Sequence, residues 1–290
     1  MLPPRLIPGC QIAALPTPRN SQFGPLRHLV STLAPARVDG IALGTFPGEG
    51  SRISAESWER LLAAGREGLD DRQIVIASVG ASSEVRRPEE VNAAARNQAA
   101  LVAKQGGHLV LVQPPTAIRG RPERDRLVLE YHSEVAEAGL PLLISIRREV
   151  SGGIAYPPEV LAQLLARPEV VGLEIATFDA ITIFQQVEAL AREFAPEKVV
   201  ISGEERFLGY SLMCGAQAAL VGISAAYPER VGELLEAHRS GDADRFLKRS
   251  IEIDALARPI FRAPFDGSSR RLIQALIGLG KLPIAAFDDY

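Results

Sequence analysis

Two apolar runs carry the polar side chains best placed to do chemistry. Leu-Leu-Ile-Ser-Ile-Arg, at residues 142–147, holds a hydroxyl at Ser145 and a guanidinium at Arg147; Val-Val-Gly-Leu-Glu, at 170–174, ends in a carboxylate. In extended chain, alternation puts Ser145 and Arg147 on one face, and the same parity turns Glu174 inward beside them. A carboxylate removed from water must find a cation or take a proton. Arg147 is the expected partner of Glu174, and Arg148 the next choice. Two roles stay open for Glu174. It is either half of a structural Glu–Arg pair, or a general base or ligand-binding carboxylate that its dry surroundings tune upward. Arg147 and Arg148 are likewise either anchors for an anionic substrate or salt-bridging, solvated groups.

A second constellation is Gly44-Thr45-Phe46-Pro47-Gly48-Glu49. Its backbone N–H groups could hold a carboxylate, as anions sit in nests, or it is an ordinary tight loop in which Glu49 caps amides. Lysine is scarce: of 32 basic residues only Lys104, Lys198, Lys248 and Lys281 are lysines. Any mechanism built on an amine nucleophile has these four candidates. No His pair has ligand spacing and the two cysteines, Cys10 and Cys214, are far apart, so no metal is expected. Arg119, Arg121 and Arg124 read as a solvated basic loop. His108 reads as a core or surface residue, His132 lies on a helix, and Cys214 reads as a small buried hydrophobe.

The elements that must position these groups follow from the apolar pattern. Short, continuous Val/Ile/Leu-rich runs fall at residues 12–15, 40–43, 74–77, 108–112, 142–146, 172–175, 199–202 and 218–221. Runs that do not alternate are strands covered on both faces, as in a parallel sheet. Helical patterns lie between them: one capped by Ser54, one opened by Pro88, and others at 124–138, 157–165, 180–194 and 208–214. Eight strands and intervening helices, at about 30 residues per unit, predict a (β/α)8 barrel over residues 1–226. Helices at 227–239, 242–257 and 268–280 form a C-terminal three-helix extension over residues 227–290. A doubly wound sheet is the alternative, but Pro16-Thr17-Pro18, not a glycine-rich turn, follows the first strand. In a barrel the chemistry sits at the C-terminal strand ends. Those ends here are 44–49, 113–116, Ser145 with Arg147 and Arg148, Glu174, Ser202-Gly203-Glu204-Glu205, and Gly222 with Ser224.

The chain has 290 residues, 47% apolar, 23% charged, with a net charge of -3. That balance gives no basic face for nucleic acid. The apolar runs are too broken for a membrane span and no signal-peptide core opens the chain, so a cytoplasmic protein is expected.

Five segments in order resemble the dihydrodipicolinate synthase/N-acetylneuraminate lyase family: residues 13–18; 38–45 with Gly48-Glu49 and Ile53-Ser54; 170–174; 215–228; and the trailing helices to Gly280. The resemblance implies an aldolase-type lyase barrel acting on a 2-oxo acid through a lysine imine. This chain departs from it at the working positions. Glu174 matches the imine-forming lysine, Ser145 and Thr116 match two tyrosines of the proton relay, and Ala225 matches an asparagine of the eighth strand; only Thr45 matches. The resemblance also makes the 44–49 loop the carboxylate holder and implies a homodimer or homotetramer. No cofactor is implied. The expectation is therefore a family protein that acts on or binds a small oxo acid or related carboxylic acid without an imine. Glu174, Ser145 and Thr45 would be at its centre, and Gly44, Gly48, Glu49, Thr116 and Arg147 around the ligand. The alternative is a catalytically silent barrel that binds a small acid or a partner protein.

Overall fold

In the computed structural model, residues 6–17, 23–33, 35–36, 38–46, 50, 53–80, 85–149, 152–178 and 180–284 are described. Eight parallel strands close in chain order: β1 Gln11–Ala14, β2 Gly40–Leu43, β3 Ile74–Val79, β4 Leu109–Val112, β5 Leu142–Arg147, β6 Val170–Ala176, β7 Val199–Ser202 and β8 Ala218–Val221. The ring is completed where β8 pairs with β1, Leu220 opposite Ile12. Helices α1 Gly24–Leu33, α2 Ala55–Arg66, α3 Pro88–Lys104, α4 Arg124–Ala136, α5 Pro158–Leu165, α6 Ile181–Phe194, α7 Leu208–Met213 and α8 Ile223–Ala226 follow successive strands. Three more follow, α9 Pro228–Ser240, α10 Ala243–Ala257 and α11 Ser268–Gly278. This is the expected (β/α)8 barrel with C-terminal helices.

Local chemistry explains the boundaries. Ser54 caps α2 by accepting from the Ser57 N–H, and Pro88 opens α3, where a missing N–H costs nothing. Gly241, in the left-handed region at φ 72°, ends α9, and Asp242 then caps α10. Helix α1 has no acid in its first turn, and Pro25 stands at its second position. Its buried Leu26, Leu29, Val30 and Leu33 do carry helical spacing.

Period-2 alternation divides each strand's side chains between two cores. Ile12, Ala14, Ala42, Ile74, Ile76, Leu109, Leu111, Leu143, Ile201, Ala218 and Leu220 fill the barrel. Their neighbours Ala13, Ile41, Leu43, Val75, Val110, Ile144, Leu173, Ile175 and Val221 pack outward against the helices.

At the exit of β2 the chain turns through Gly44 at φ 65°, and a Cβ there would lie 2.2 Å from the Trp58 ring. Trp58 is buried, so it cannot yield. Gly44→Ala should therefore lower stability by about 2–4 kcal/mol, from left-handed strain plus overpacking. Urea denaturation read by the Trp58 fluorescence checks this; an unchanged midpoint would refute the constraint.

Candidate active site

Continued past the apolar layer, the same inward parity reaches the C-terminal end of the barrel. There it delivers Ser78, Gln113, Ser145, Arg147 and Glu174. The β5–β6 register sets Ser145 opposite Glu174 and Arg147 opposite Ala176. Ser145 Oγ donates to Glu174 Oε2 at 2.7 Å. Burial pushes the Glu174 carboxyl above its ordinary value, against the Ser145 hydrogen bond and the Arg147 charge. Gly203, just past β7, makes room: a Cβ there would lie 2.2 Å from Glu174 Oε1.

The expected Glu174–Arg147 ion pair does not form. Among the described residues Arg147 makes no contact with the carboxylate short enough for a salt bridge and acts on it through space. Its Nη1 instead donates to Gln113 Oε1 at 3.2 Å, and Gln113 Nε2 donates to Ser78 Oγ at 2.8 Å. Arg147 Cζ stands 4.9 Å from the Phe46 ring centroid and 5.7 Å from that of Phe178. The physical reason is position along β5. One pleat further up the strand than Ser145, the guanidinium is at the rim, where aromatic faces and an amide oxygen are available. Arg148, the next choice, does not line the cavity.

Phe46 and Phe178 contact each other at 4.8 Å between centroids, and Phe178 meets Phe265, just before α11, at 5.3 Å. Phe178 is the one non-glycine residue with positive φ among the described residues, at 66°. An aromatic side chain in that region stores on the order of 1–2 kcal/mol of strain. Glu204 holds it there. One carboxylate oxygen accepts from the Thr177 N–H and from Thr177 Oγ1 (2.7 Å), and the other accepts from the Phe178 N–H (2.9 Å). Glu205 accepts from Gly222 N and Ile223 N (2.9 Å), tying β7 to the exit of β8. Burial outweighs these bonds, pushing Glu204 up to about 7 and Glu205 up to about 8, with Glu174 adding repulsion to both.

Beneath the rim is a cavity of about 20 Å³, lined by Thr45, Gln113, Ser145, Arg147, Glu174 and Glu205, with the aromatic rings over it. That is room for about one water. Two polar atoms there, Thr45 Oγ1 and Arg147 Nε, are buried without a protein partner. Carboxylate, hydroxyls and guanidinium in one narrow enclosure can bind an anion at the rim and move a proton at the floor.

Of the residues singled out in sequence, Glu174, Ser145, Thr45 and Arg147 come together. Gly44 supplies the turn before Thr45. Gly48 and Glu49 lie outside the described residues. Thr116 does not join the site: it opens the short 3-10 turn Thr116–Ile118 and does not line the cavity, because the chain after β4 folds away from the mouth. No lysine lines the cavity. Lys104 and Lys248 sit on α3 and α10; Lys198 Nζ donates to Arg167 O, and Lys281 Nζ, pulled down by burial, donates to Ala225 O. Sequence reasoning had placed Gln113, Glu204 and Glu205 at strand ends but given them no role. Parity two residues beyond Leu111 signals Gln113. No local signal marks Phe178, whose part depends on tertiary contacts. Among the described residues no group of three His, Cys, Asp or Glu is placed to hold a metal, and no helix is long and apolar enough to cross a membrane.

The family model for the dihydrodipicolinate synthetase family matches residues 11–279. The chain is similar to a 4-hydroxy-tetrahydrodipicolinate synthase from Xanthomonas axonopodis pv. citri (strain 306), 27% identical over 243 residues, 80% of this chain and 74% of that protein. It is 28% identical to the same-named protein of Stenotrophomonas maltophilia (strain K279a) over 206 residues, 69% of this chain and 64% of that relative's length. Among solved structures, dihydrodipicolinate synthase from Bacteroides thetaiotaomicron superposes with a TM-score of 0.81 at 19% identity, covering 96% of this chain and 91% of that one. A prophage protein of the dihydrodipicolinic acid synthase family from E. coli K12, in complex with pyruvate, gives 0.82 at 19% identity, covering 98% and 94%. At these identities the structural likeness speaks for the fold.

Glu204 and Glu205 hold protons more tightly folded than unfolded. The stability this provides is complete below the ordinary carboxylate range and is lost as pH rises through about 7 and then about 8. The thermal midpoint should fall by several degrees between about pH 6 and about pH 9. The slope should shrink in Glu204→Gln or Glu205→Gln. A midpoint that rises over this range would contradict the assignment.

Proposed function

The chain belongs to the dihydrodipicolinate synthetase family, and on that premise we propose that it binds and processes a small oxo acid or related carboxylic acid at the barrel mouth without a lysine imine. One observation carries this reading. The buried position that faces Ser145 across β5–β6 is a carboxylate, Glu174, and no lysine lines the cavity. A carboxylate cannot condense with a ketone, but a carboxyl that burial holds above its ordinary value is suited to give and take a proton.

The roles follow from position. Arg147, among the described residues the one cation lining the cavity, anchors the ligand carboxylate; its Nε has no protein partner to give up. Thr45 Oγ1, also without a partner, hydrogen-bonds the ligand. Ser145 fixes the carboxyl rotamer of Glu174, which acts as acid and base. The prophage relative binds pyruvate, and the same size of ligand suits this mouth once the aromatic rim parts. A homodimer or homotetramer in the cytoplasm is part of the proposal on family likeness alone.

The second reading, a silent barrel that binds a small acid or a partner protein, is favoured by the rim itself. Phe46, Arg147 and Phe178 leave only about 20 Å³ beneath them. Turnover distinguishes the two.

Incubation with pyruvate and borohydride should leave the protein mass unchanged; a stable adduct would overturn the imine-free mechanism. Glu174→Gln should reduce turnover of a small-acid substrate by about 10²–10⁴-fold, the range of general acid–base catalysis. Wild-type-like turnover in that variant would return Glu174 to a structural role.

A further inference from the structure

The mouth has more acceptors than donors at its floor and the reverse at its rim. Three carboxylates crowd this end of the barrel. Glu204 is satisfied by the Thr177 hydroxyl and by two backbone N–H groups, and Glu205 by two backbone N–H groups. Glu174 differs. Ser145 donates to Oε2, but among the described residues nothing donates to Oε1, which lies against Gly203 on the cavity wall. Arg147, the one guanidinium among the described residues that line the cavity, does not reach down to it. It stays at the rim between Phe46 and Phe178, with Nε unpartnered.

A carboxylate oxygen that faces the cavity, with no donor from the described residues, suits a ligand that brings hydrogen-bond donors and positive charge. A ketone brings neither; its oxygen meets the ionised carboxylate acceptor to acceptor and gains a hydrogen bond only when Glu174 carries a proton. An ammonium brings both. At the rim the requirement inverts, because a guanidinium and the Thr45 hydroxyl offer donors to an anion. Arg147 lies one pleat beyond Ser145, and Ser145 is level with Glu174. Ammonium floor and carboxylate rim are thus within the span of one small molecule.

We propose that the ligand of this mouth is a small α-amino acid, its ammonium on Glu174 Oε1 and its carboxylate on Arg147 with Thr45. This rests on the reading of the mouth as a carboxylic-acid site and narrows it. The order of events is set by the rim: Arg147 exchanges ring faces for the ligand carboxylate, the rings part, and the ammonium passes to the floor. The incoming positive charge favours the ionised form of the neighbouring carboxyls, so binding releases protons.

Isothermal titration of the full chain with L-alanine, pyruvate, L-lactate and ethylamine separates the possibilities. L-alanine should bind at least about tenfold more tightly than pyruvate or lactate, one charge-assisted contact's worth. Its binding heat in two buffers of different ionisation enthalpy should report proton release. Glu174→Gln should erase the preference while keeping weak acid binding. Glu174→Asp, which keeps the charge, should retain part of it and guards against a folding artefact in the first variant. Pyruvate or lactate binding as well as alanine would overturn the ammonium assignment and leave the acid site standing. Ethylamine binding as well as alanine, or no binding by any of the four, would overturn both.

Discussion

Everything at the mouth depends on the closure of β8 onto β1. Four-residue strands cannot hold an open sheet, whose edges would leave a row of N–H and C=O groups unpaired. Once the ring is shut, alternation has only two destinations, an enclosed interior and a helix-covered exterior. The interior then has no exit for a side chain except at its ends. A polar residue one step beyond the apolar layer is therefore delivered to the C-terminal mouth whatever its chemistry. Ser145, Arg147 and Glu174 meet there because of register, not because they attract one another.

That distinction explains the electrostatics. A site assembled by attraction would have paired Arg147 with Glu174. Here the guanidinium is held one pleat too high, and the aromatic faces of Phe46 and Phe178 take the place of a counter-ion. The carboxylates make up the shortfall in two ways. Glu204 and Glu205 draw on backbone N–H groups, and all three are pushed toward their protonated forms. The backbone bonds also do structural work. Glu204 fixes the strained turn at Phe178, so the group that closes the mouth and the group that titrates near neutrality are mechanically joined.

The barrel was legible in the sequence because doubly covered strands read as continuous apolar runs, and these recur at one repeat length. Helix α1 was less legible, since no acid marks its first turn. Parity alone brought Glu174, Ser145 and Arg147 to one place. It could not say how far a long side chain reaches, so Arg147 was assigned to the wrong neighbour. Thr116 was assigned by likeness to a family pattern, and the loop after β4 does not follow that pattern to the mouth. Phe178 was invisible for a third reason. Nothing local predicts a left-handed phenylalanine; it exists because Glu204, far along the chain, holds its N–H, and Phe46 and Phe265 hold its ring.

The crowding of Glu204 and Glu205 around position 174 also limits what chemistry that position could support. An amine placed there by substitution would not gain an amine's reactivity. Two carboxylates at its side would hold it as an ammonium, and an ammonium attacks nothing. Imine chemistry is thus excluded twice, by the residue at this position and by its neighbours, and an amine would react here only if several of those neighbours changed with it.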